Sequence, residues 1–167
     1  MTGRPAPVEI SVEVEDAGWT ALLPEAAALA DEAARAALAA DARAAAGEVV
    51  VLLTNDAEVR ALNARFRGKD AATNVLSFPA GPLAPGALGD IALALGVCAR
   101  EAKAQGKSLA HHLQHLVAHG VLHLLGYDHQ DEAEAETMEA KERAIMAELG
   151  APDPYLTRED LGARHGD

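Results

Sequence analysis

The stretch SLAHHLQHLVAHGVLHLLGYDHQD, residues 108–131, decides how the rest of the chain is interpreted, because it predicts a central helix and a chemical site together. Ser108 is a favoured helix N-cap and Gly126 is a favoured terminator, so a helix is expected between them. Six of the seven histidines lie in residues 111–129, and four of them are spaced four apart. That spacing places four imidazole groups on one face of the predicted helix.

The segments on either side of this helix predict a mixed fold. The predicted strands are residues 8–14, 48–53, 73–78 and 89–93. The other predicted helices are residues 24–46, 55–66, 97–105 and 131–149. A Pro- and Gly-rich loop is predicted at residues 79–87. This order predicts an α+β fold, a small mixed β-sheet of about four strands flanked by helices. No repeat or linker divides the chain, so residues 1–150 are expected to form a single domain and residues 151–167 a polar tail.

The composition excludes several classes of protein. Of the 167 residues, 50% are apolar but only 3% are aromatic, so the core must consist mainly of small and aliphatic side chains. The single cysteine, Cys98, excludes a disulfide framework and a Cys-rich zinc finger, and we expect it to be a small buried residue. No apolar run is long enough to cross a bilayer, and the N-terminus has no apolar signal core. We therefore expect a soluble, cytoplasmic protein with no membrane partner.

The charge distribution leaves a nucleic-acid partner open. The net charge of −12 argues against such a partner, yet residues 58–107 carry seven bases and four acids. Four of the bases are close together, namely Arg60, Arg65, Arg67 and Lys69. This cluster is either the solvated end of a helix or a local phosphate-binding patch, and charge alone does not decide between them.

The histidine spacing predicts a metal site in a cleft where the helix turns. His119 and His123 lie one helical turn apart and can share a metal ion. Gly126 can take a left-handed conformation, and the chain can then return and bring His129 to the same ion. Three nitrogen ligands with an open fourth position are typical of a catalytic zinc site.

One position separates this motif from the zinc-protease signature H-E-x-x-H-x-x-G-x-x-H. The chain has Gly120 where that signature has the glutamate that serves as general base. Met138 lies on a predicted acidic helix, and we interpret it as a core residue rather than as part of a Met-turn. The zinc geometry is therefore shared with those proteases, but the catalytic base is not.

Arg67 is a candidate for binding negative charge beside the metal. Its guanidinium group is always charged and offers a fork of donors that suits phosphate oxygens. Zinc together with an arginine is a suitable arrangement for phosphodiester cleavage. The spacing alone does not rank Arg67 above Arg65 or Lys69.

Three blocks of the sequence resemble the YbeY family of bacterial endoribonucleases and ribosomal-RNA maturation factors. They are FRGKDAATNVLSFP (66–79), LGDIALA (88–94) and HGVLHLLGYDH (119–129). The resemblance covers roughly residues 50–149 and implies a single-strand-specific, zinc-dependent endoribonuclease. Its implied substrate is a ribosomal RNA precursor, matured at the 3′ end of the small-subunit RNA, and its implied roles include ribosome quality control.

The resemblance also implies partners and residue roles. The family's zinc ligands fall on His119, His123 and His129, and its functional arginine falls on Arg67. The implied partners are the ribosome or ribosomal proteins, and no DNA partner is expected. The nucleophile stays open: attack by water can leave a 5′-phosphate, whereas attack by the RNA's own 2′-hydroxyl first leaves a 2′,3′-cyclic phosphate.

Two other classes of function stay open on the sequence. One is a zinc hydrolase of another bond, such as a peptide, which would need a replacement for the missing glutamate. The other is a non-catalytic ribosome-assembly factor with a structural zinc ion, for which Cys98 would be the available fourth ligand. Asp128 is expected either to orient a ligand imidazole or to cap the last helix. Asp90, inside an apolar run, is expected to be buried and to help organise the cleft.

Overall fold

The computed structural model describes residues 8–41, 47–81, 86–128 and 130–155, and all structural statements below concern these residues. The four strands are β1 (Val8–Val14), β2 (Gly47–Thr54), β3 (Val75–Pro79) and β4 (Ala87–Ala94). The six helices are α1 (Gly18–Leu22), α2 (Ala26–Ala39), α3 (Asp56–Arg67), α4 (Leu95–Gln105), α5 (Leu109–Leu124) and α6 (Glu132–Glu148). The expected α+β class is confirmed.

The four strands form one mixed sheet in the order β1-β2-β4-β3. The pairs β1·β2 and β2·β4 are parallel, whereas β3 runs antiparallel to β4. The edge strand β3 pairs Ser77 with Ile91 and Phe78 with Asp90. Because side chains alternate along a strand, Ser77 and Phe78 point to opposite faces of the sheet.

Each face of the sheet packs against different helices. Ile91 and Leu93 of β4 belong to the larger core, which α2 and α5 cover. Ala92 of β4 belongs to a smaller core, in which Val59 of α3 is buried. Helices α3 and α5 therefore lie on opposite faces of the sheet, and the edge strand β3 lies between them.

The helix boundaries follow the capping residues in the sequence. Asn55, Ser108 and Asp131 each accept a hydrogen bond at their side chain from the backbone N–H three residues later, at the starts of α3, α5 and α6. Gly68 ends α3 with a φ of 68°, a left-handed conformation that glycine adopts without strain. These local signals explain why the predicted and observed helices agree closely here.

Two differences from the predicted elements concern the first part of the chain. Helix α1 was not expected, and it has no side-chain N-cap. It is fixed by the fully buried Trp19, whose indole N–H donates to the carbonyl oxygen of Thr54 over 2.8 Å. The helix predicted at 24–46 is observed as Ala26–Ala39, and residues 42–46 lie outside the described residues.

No helix among the described residues is long and apolar enough to cross a membrane.

Candidate metal and phosphate site

A cleft of about 580 Å³ lies beside the edge strand β3 and is lined from both the end of α3 and the side of α5. It contains Arg67 from α3 and the histidines His119 and His123 from α5. Its other lining residues come from the approach to β3, from β3 itself and from the turn after α5: Thr73, Asn74, Val75, Ser77, Pro79, Gly126, Tyr127 and Asp128. Three of the four site residues predicted from the sequence therefore line one cleft.

Arg67 reaches the cleft by crossing the open edge of the sheet. Its Nη2 donates a hydrogen bond to the carbonyl oxygen of Ser77 over 2.7 Å, and its guanidinium lies 5.8 Å from the ring centre of Phe78. These contacts hold the guanidinium at the cleft without neutralising its charge, because neither partner is an anion. The remaining donors of the fork suit the oxygens of a phosphate.

His119 and His123 face each other across one turn of α5. Their Nε2 atoms are 3.1 Å apart, and their ring centres are 4.6 Å apart. Two nitrogen ligands of a tetrahedral zinc ion with bonds of about 2.0–2.1 Å are separated by roughly 3.3–3.4 Å. The observed separation is within a few tenths of an ångström of that value, so this pair fits two positions of one metal ion.

Glu142 of α6 lies behind His119. Its Oε1 is 3.2 Å from His119 Nδ1 and 2.5 Å from His115 Nε2, and its Oε2 accepts a hydrogen bond from the hydroxyl of Tyr155 over 2.8 Å. The side chain is only 1% exposed. Burial alone would raise the pKa of this carboxyl, but hydrogen bonds from the two histidines outweigh burial and lower the pKa to about 2.

The contact with Glu142 also selects the tautomer of His119. A carboxylate accepts a hydrogen bond from Nδ1–H, so the proton stays on Nδ1 and the lone pair on Nε2 is directed toward His123. Carboxylates commonly orient metal-binding imidazoles in this way. The contact therefore prepares His119 to bind a metal through Nε2.

Gly120 faces the sheet rather than the cleft. A Cβ atom at this position would lie 3.0 and 3.1 Å from two side-chain carbons of Ile91 and 3.2 Å from Ser77 Oγ. The Ser77 hydroxyl in turn donates to the carbonyl oxygen of Gly120 over 3.3 Å. A longer side chain here would have to enter the helix–sheet contact, so the glutamate of the zinc-protease signature would have to displace the side chains of Ile91 and Ser77.

A second polar network supports the wall of the cleft from behind. His112 Nε2 lies 2.9 Å from Glu101 Oε1, and that oxygen also accepts from Asn74 Nδ2 over 3.0 Å. Burial lowers the pKa of His112, although Glu101 opposes that shift. Cys98 is fully buried as expected, and its thiol donates to the carbonyl oxygen of Asn74 over 3.6 Å. The thiol is therefore engaged with the backbone behind the cleft.

The turn after α5 is attached through Tyr127 to α6 and to the residue that follows the end of α2. Its hydroxyl donates to Asp41 Oδ2, which also lies 3.4 Å from Lys141 Nζ. The same ammonium group is 5.3 Å from the ring centre of Tyr127. The turn that leads from Gly126, with its φ of 101°, toward residue 129 is thus fixed at both of these places.

The remaining predictions for individual residues have mixed outcomes. His129 lies outside the described residues, and among the described residues no three metal-ligating side chains form a cluster. Met138 is buried, as expected. The expectation of a buried Asp90 was wrong: its side chain lies on an exposed position of β4, while the next residue enters the core. Asp128 lines the cleft and does not cap α6, because Asp131 does.

Glu142 and Asn74 are functional candidates that the sequence analysis missed. A signal for Glu142 existed, because it lies four residues after Met138 and three before Ile145 on the buried face of α6. A buried carboxylate at such a position needs hydrogen-bond partners, and the histidines of the predicted central helix were available to provide them. The position of Asn74 depends on contacts with distant residues and has no comparable local signal.

Comparisons with known proteins show which family the chain resembles. The family model described as Endoribonuclease YbeY matches residues 12–150. The chain is 53% identical over 154 residues to the Endoribonuclease YbeY of Azorhizobium caulinodans, covering 89% of this chain and 96% of that protein. It is 48% identical over 157 residues to the Endoribonuclease YbeY of Paramagnetospirillum magneticum, with the same coverage of 89% and 96%. The solution structure of TM1509 from Thermotoga maritima is similar with a TM-score of 0.52 and 25% identity, covering 87% of this chain and 98% of that one.

Proposed function

The chain belongs to the Endoribonuclease YbeY family, and we propose that it is a zinc-dependent endoribonuclease that cuts single-stranded RNA. Family membership supports the endoribonuclease role. The observation that carries the proposal for this chain is the cleft in which Arg67 lies together with His119 and His123. The cleft combines a histidine pair whose spacing fits one metal ion with a cation that can bind a phosphate.

The proposed zinc ion would be held by His119, His123 and His129. The first two are supported by the 3.1 Å separation of their Nε2 atoms and by the tautomer that Glu142 selects. The third is proposed from the motif and from the fixed turn at Tyr127 that leads toward it. A zinc ion bound here would supply Lewis-acid polarisation of a phosphoryl oxygen and would activate a nucleophile.

The chain's own groups would act on the phosphate. Arg67 would donate to a non-bridging oxygen, and its bond to the Ser77 carbonyl oxygen keeps the fork oriented before the substrate arrives. Its charge would stabilise the transition state more than the bound substrate, because the negative charge on the phosphate grows during the reaction. Glu142 would accept a hydrogen bond from Nδ1–H of His119, so the proton would stay on Nδ1 and Nε2 would carry none. Arg67 is thus the proposed catalytic residue and Glu142 a positioning residue.

The proposed substrate is a single-stranded ribosomal RNA precursor, cut during maturation of the 3′ end of the small-subunit RNA and during ribosome quality control. A chain with a net charge of −12 is poorly suited to long duplex contacts, which depend on many neutralised phosphates. A single strand needs only local contacts at the cleft. The ribosome or its proteins would bring the precursor to the enzyme in the cytoplasm, and residues 1–150 would act as one domain, with 151–167 as a tail.

The test compares the wild type with Arg67→Ala and His123→Ala on a single-stranded RNA that carries an unprocessed small-subunit 3′ end. Arg100→Ala and His111→Ala are matched controls, because neither residue lines the cleft. Metal content and folding are checked for each protein. We expect Arg67→Ala to keep its zinc and to lose about 100- to 1,000-fold in cleavage rate. We expect His123→Ala to lose both zinc and cleavage.

Equal cleavage by all five proteins would contradict the proposal and would point to a contaminating nuclease. A wild type that binds the RNA without cutting it would favour the non-catalytic assembly factor. Zinc removal separates these cases further, since loss of a structural zinc ion would unfold the protein. Peptide hydrolysis is disfavoured by Gly120, which stands where the zinc-protease signature has its general base and packs closely against Ile91 and Ser77.

A further inference from the structure

One large aromatic side chain is left exposed at the sheet edge that Arg67 crosses. Phe66, the residue before Arg67, is 58% exposed. Burying a phenylalanine side chain is normally favourable, so an exposed one forgoes that stabilisation. Its position explains the exposure: Phe66 follows the buried Val59 and Asn63 by seven and three residues on the inner face of α3, but there the sheet ends at β3.

The ring of Phe66 is nevertheless fixed in place. It meets the ring of Phe78 edge-on, with ring centres 5.5 Å apart and an angle of 63° between the ring planes. Phe78 is itself partly buried in the smaller core and lies on the edge strand, next to Ser77. Two rings in this geometry attract each other, so Phe66 is an anchored platform rather than a loose side chain.

Two arginine side chains lie close to the rings of this platform. The guanidinium of Arg65 lies 5.1 Å from the ring centre of Phe66, and that of Arg67 lies 5.8 Å from the ring centre of Phe78. Arg60, by contrast, is held by Asp70 in a two-pronged ion pair with distances of 2.7 and 3.0 Å. Of the three arginines in this cluster, Arg65 and Arg67 therefore lie at the two aromatic rings, and neither is held by the ion pair that holds Arg60.

We propose that Phe66 is a stacking platform for one nucleobase of the bound RNA, next to the nucleotide whose phosphate lies at Arg67. Exposed aromatic rings with neighbouring cations are the usual means of holding single strands, because every base has a π-face and every linkage a negative charge. Arg65 contacts the phosphate next to the stacked base. The inference rests on the proposed function and extends it by naming the subsite that holds the strand.

Stacking has two consequences for substrate choice. A base can lie on Phe66 only when it is unpaired, so the platform favours single-stranded substrate independently of the cleavage chemistry. Stacking tolerates any base, so the platform gives affinity with little sequence preference.

The test measures kcat and KM of the zinc-loaded enzyme on a short single-stranded RNA for the wild type, Phe66→Ala and Phe66→Trp. Leu22→Ala is the matched control, since Leu22 is 63% exposed and apolar but does not line the cleft. We expect Phe66→Ala to raise KM by about 5- to 150-fold with kcat within about twofold, because loss of a stacked base weakens binding by that factor. Phe66→Trp keeps the platform and is expected to retain the wild-type KM.

A second substrate separates stacking from a structural effect. The RNA series includes strands with one abasic site placed at successive positions on either side of the cleaved bond. At the position that stacks on Phe66, the abasic strand should raise the wild-type KM and abolish the difference between wild type and Phe66→Ala. Thermal unfolding of each variant shows whether the fold is intact.

Each outcome bears on a different statement. If the wild type cuts RNA and Phe66→Ala has the same KM, the platform is refuted while the proposed function stands. The platform is also refuted if the difference between these two proteins persists on every abasic strand. A wild type that neither binds nor cuts RNA overturns both the proposed function and the platform.

Discussion

Replacing Glu142 with glutamine keeps the shape of this buried side chain and removes its charge. The amide oxygen can still accept from His115 and His119, and the amide nitrogen can donate to the hydroxyl oxygen of Tyr155. The substitution therefore removes the charge at two histidine contacts, at 2.5 and 3.2 Å, and turns the Tyr155 hydroxyl from a donor into an acceptor. No cavity is introduced.

Two independent estimates give the size of the effect. Hydrogen bonds to a charged group contribute roughly 1.5–3 kcal/mol and neutral ones roughly 0.5–1.5 kcal/mol, so two bonds lose about 2–3 kcal/mol together. The fall in the pKa of Glu142 from 4.5 to about 2 corresponds to about 3 kcal/mol of preference for the folded, charged form. We expect Glu142→Gln to lower the free energy of unfolding by about 2–3 kcal/mol at pH 7.

The pH dependence of this loss has a defined sign. A carboxyl whose pKa is lower in the folded state stabilises the fold at every pH above its unfolded value of 4.5. That contribution disappears as the pH falls from 4.5 toward about 2, because the folded protein must then accept a proton. The unfolding free energies of wild type and Glu142→Gln should therefore converge below pH 4.5.

The assay is urea unfolding of the zinc-stripped proteins, followed by circular dichroism at a series of pH values. Glu139→Gln on the same helix is the control, because its 38%-exposed side chain forms only a 3.8 Å ion pair with Arg143. That control should change the free energy of unfolding by less than about 0.5 kcal/mol. A Glu142→Gln protein as stable as the control at pH 7, or a difference at pH 3 as large as the difference at pH 7, would refute the reasoning.

Three further predictions concern other parts of the chain. Gly89→Ala should lower the free energy of unfolding by about 3 kcal/mol or more, since its φ is 143° and a Cβ would lie 2.3 Å from a carbonyl oxygen of β3. Gly150→Ala, whose added Cβ meets nothing within 4 Å, should cost only about 1–2 kcal/mol in the same urea titration. The Cys98 thiol should react with a disulfide reagent only as fast as the protein unfolds, because burial raises its pKa well above the usual value; rapid labelling of the native protein would contradict this. Tyr127→Phe should lower the thermal midpoint by a few degrees by removing the hydroxyl bond to Asp41, and an unchanged midpoint would show that this bond contributes nothing.

The parts of the fold that the sequence predicts are those fixed by neighbours along the chain. Ser108, Asn55 and Asp131 cap helices through bonds to residues three positions away, and their helices were predicted closely. Helix α1 depends instead on the hydrogen bond between Trp19 and Thr54, which are 35 residues apart, and no local signal in the sequence predicts this helix. The antiparallel placement of β3 at the sheet edge has the same origin, since it depends on pairing with β4.

The site residues fall into the same two groups: some are positioned by local sequence, and others by contacts with distant elements. His119 and His123 are positioned by one turn of one helix, so their spacing predicted their geometry. Arg67 could not be separated from its basic neighbours on the sequence, because its selection depends on the carbonyl oxygen of Ser77 on another element. Glu142 comes from a third element, 23 residues after His119, and only its place on a buried helix face hinted at a role.

The most direct test of the account is a zinc titration of the zinc-stripped protein, with cleavage of single-stranded RNA and circular dichroism measured at each step. We predict that cleavage returns in proportion to the zinc added and saturates at one ion per chain, while the spectrum of the folded protein does not change. Full cleavage by the zinc-stripped protein in the presence of a chelator would contradict the account.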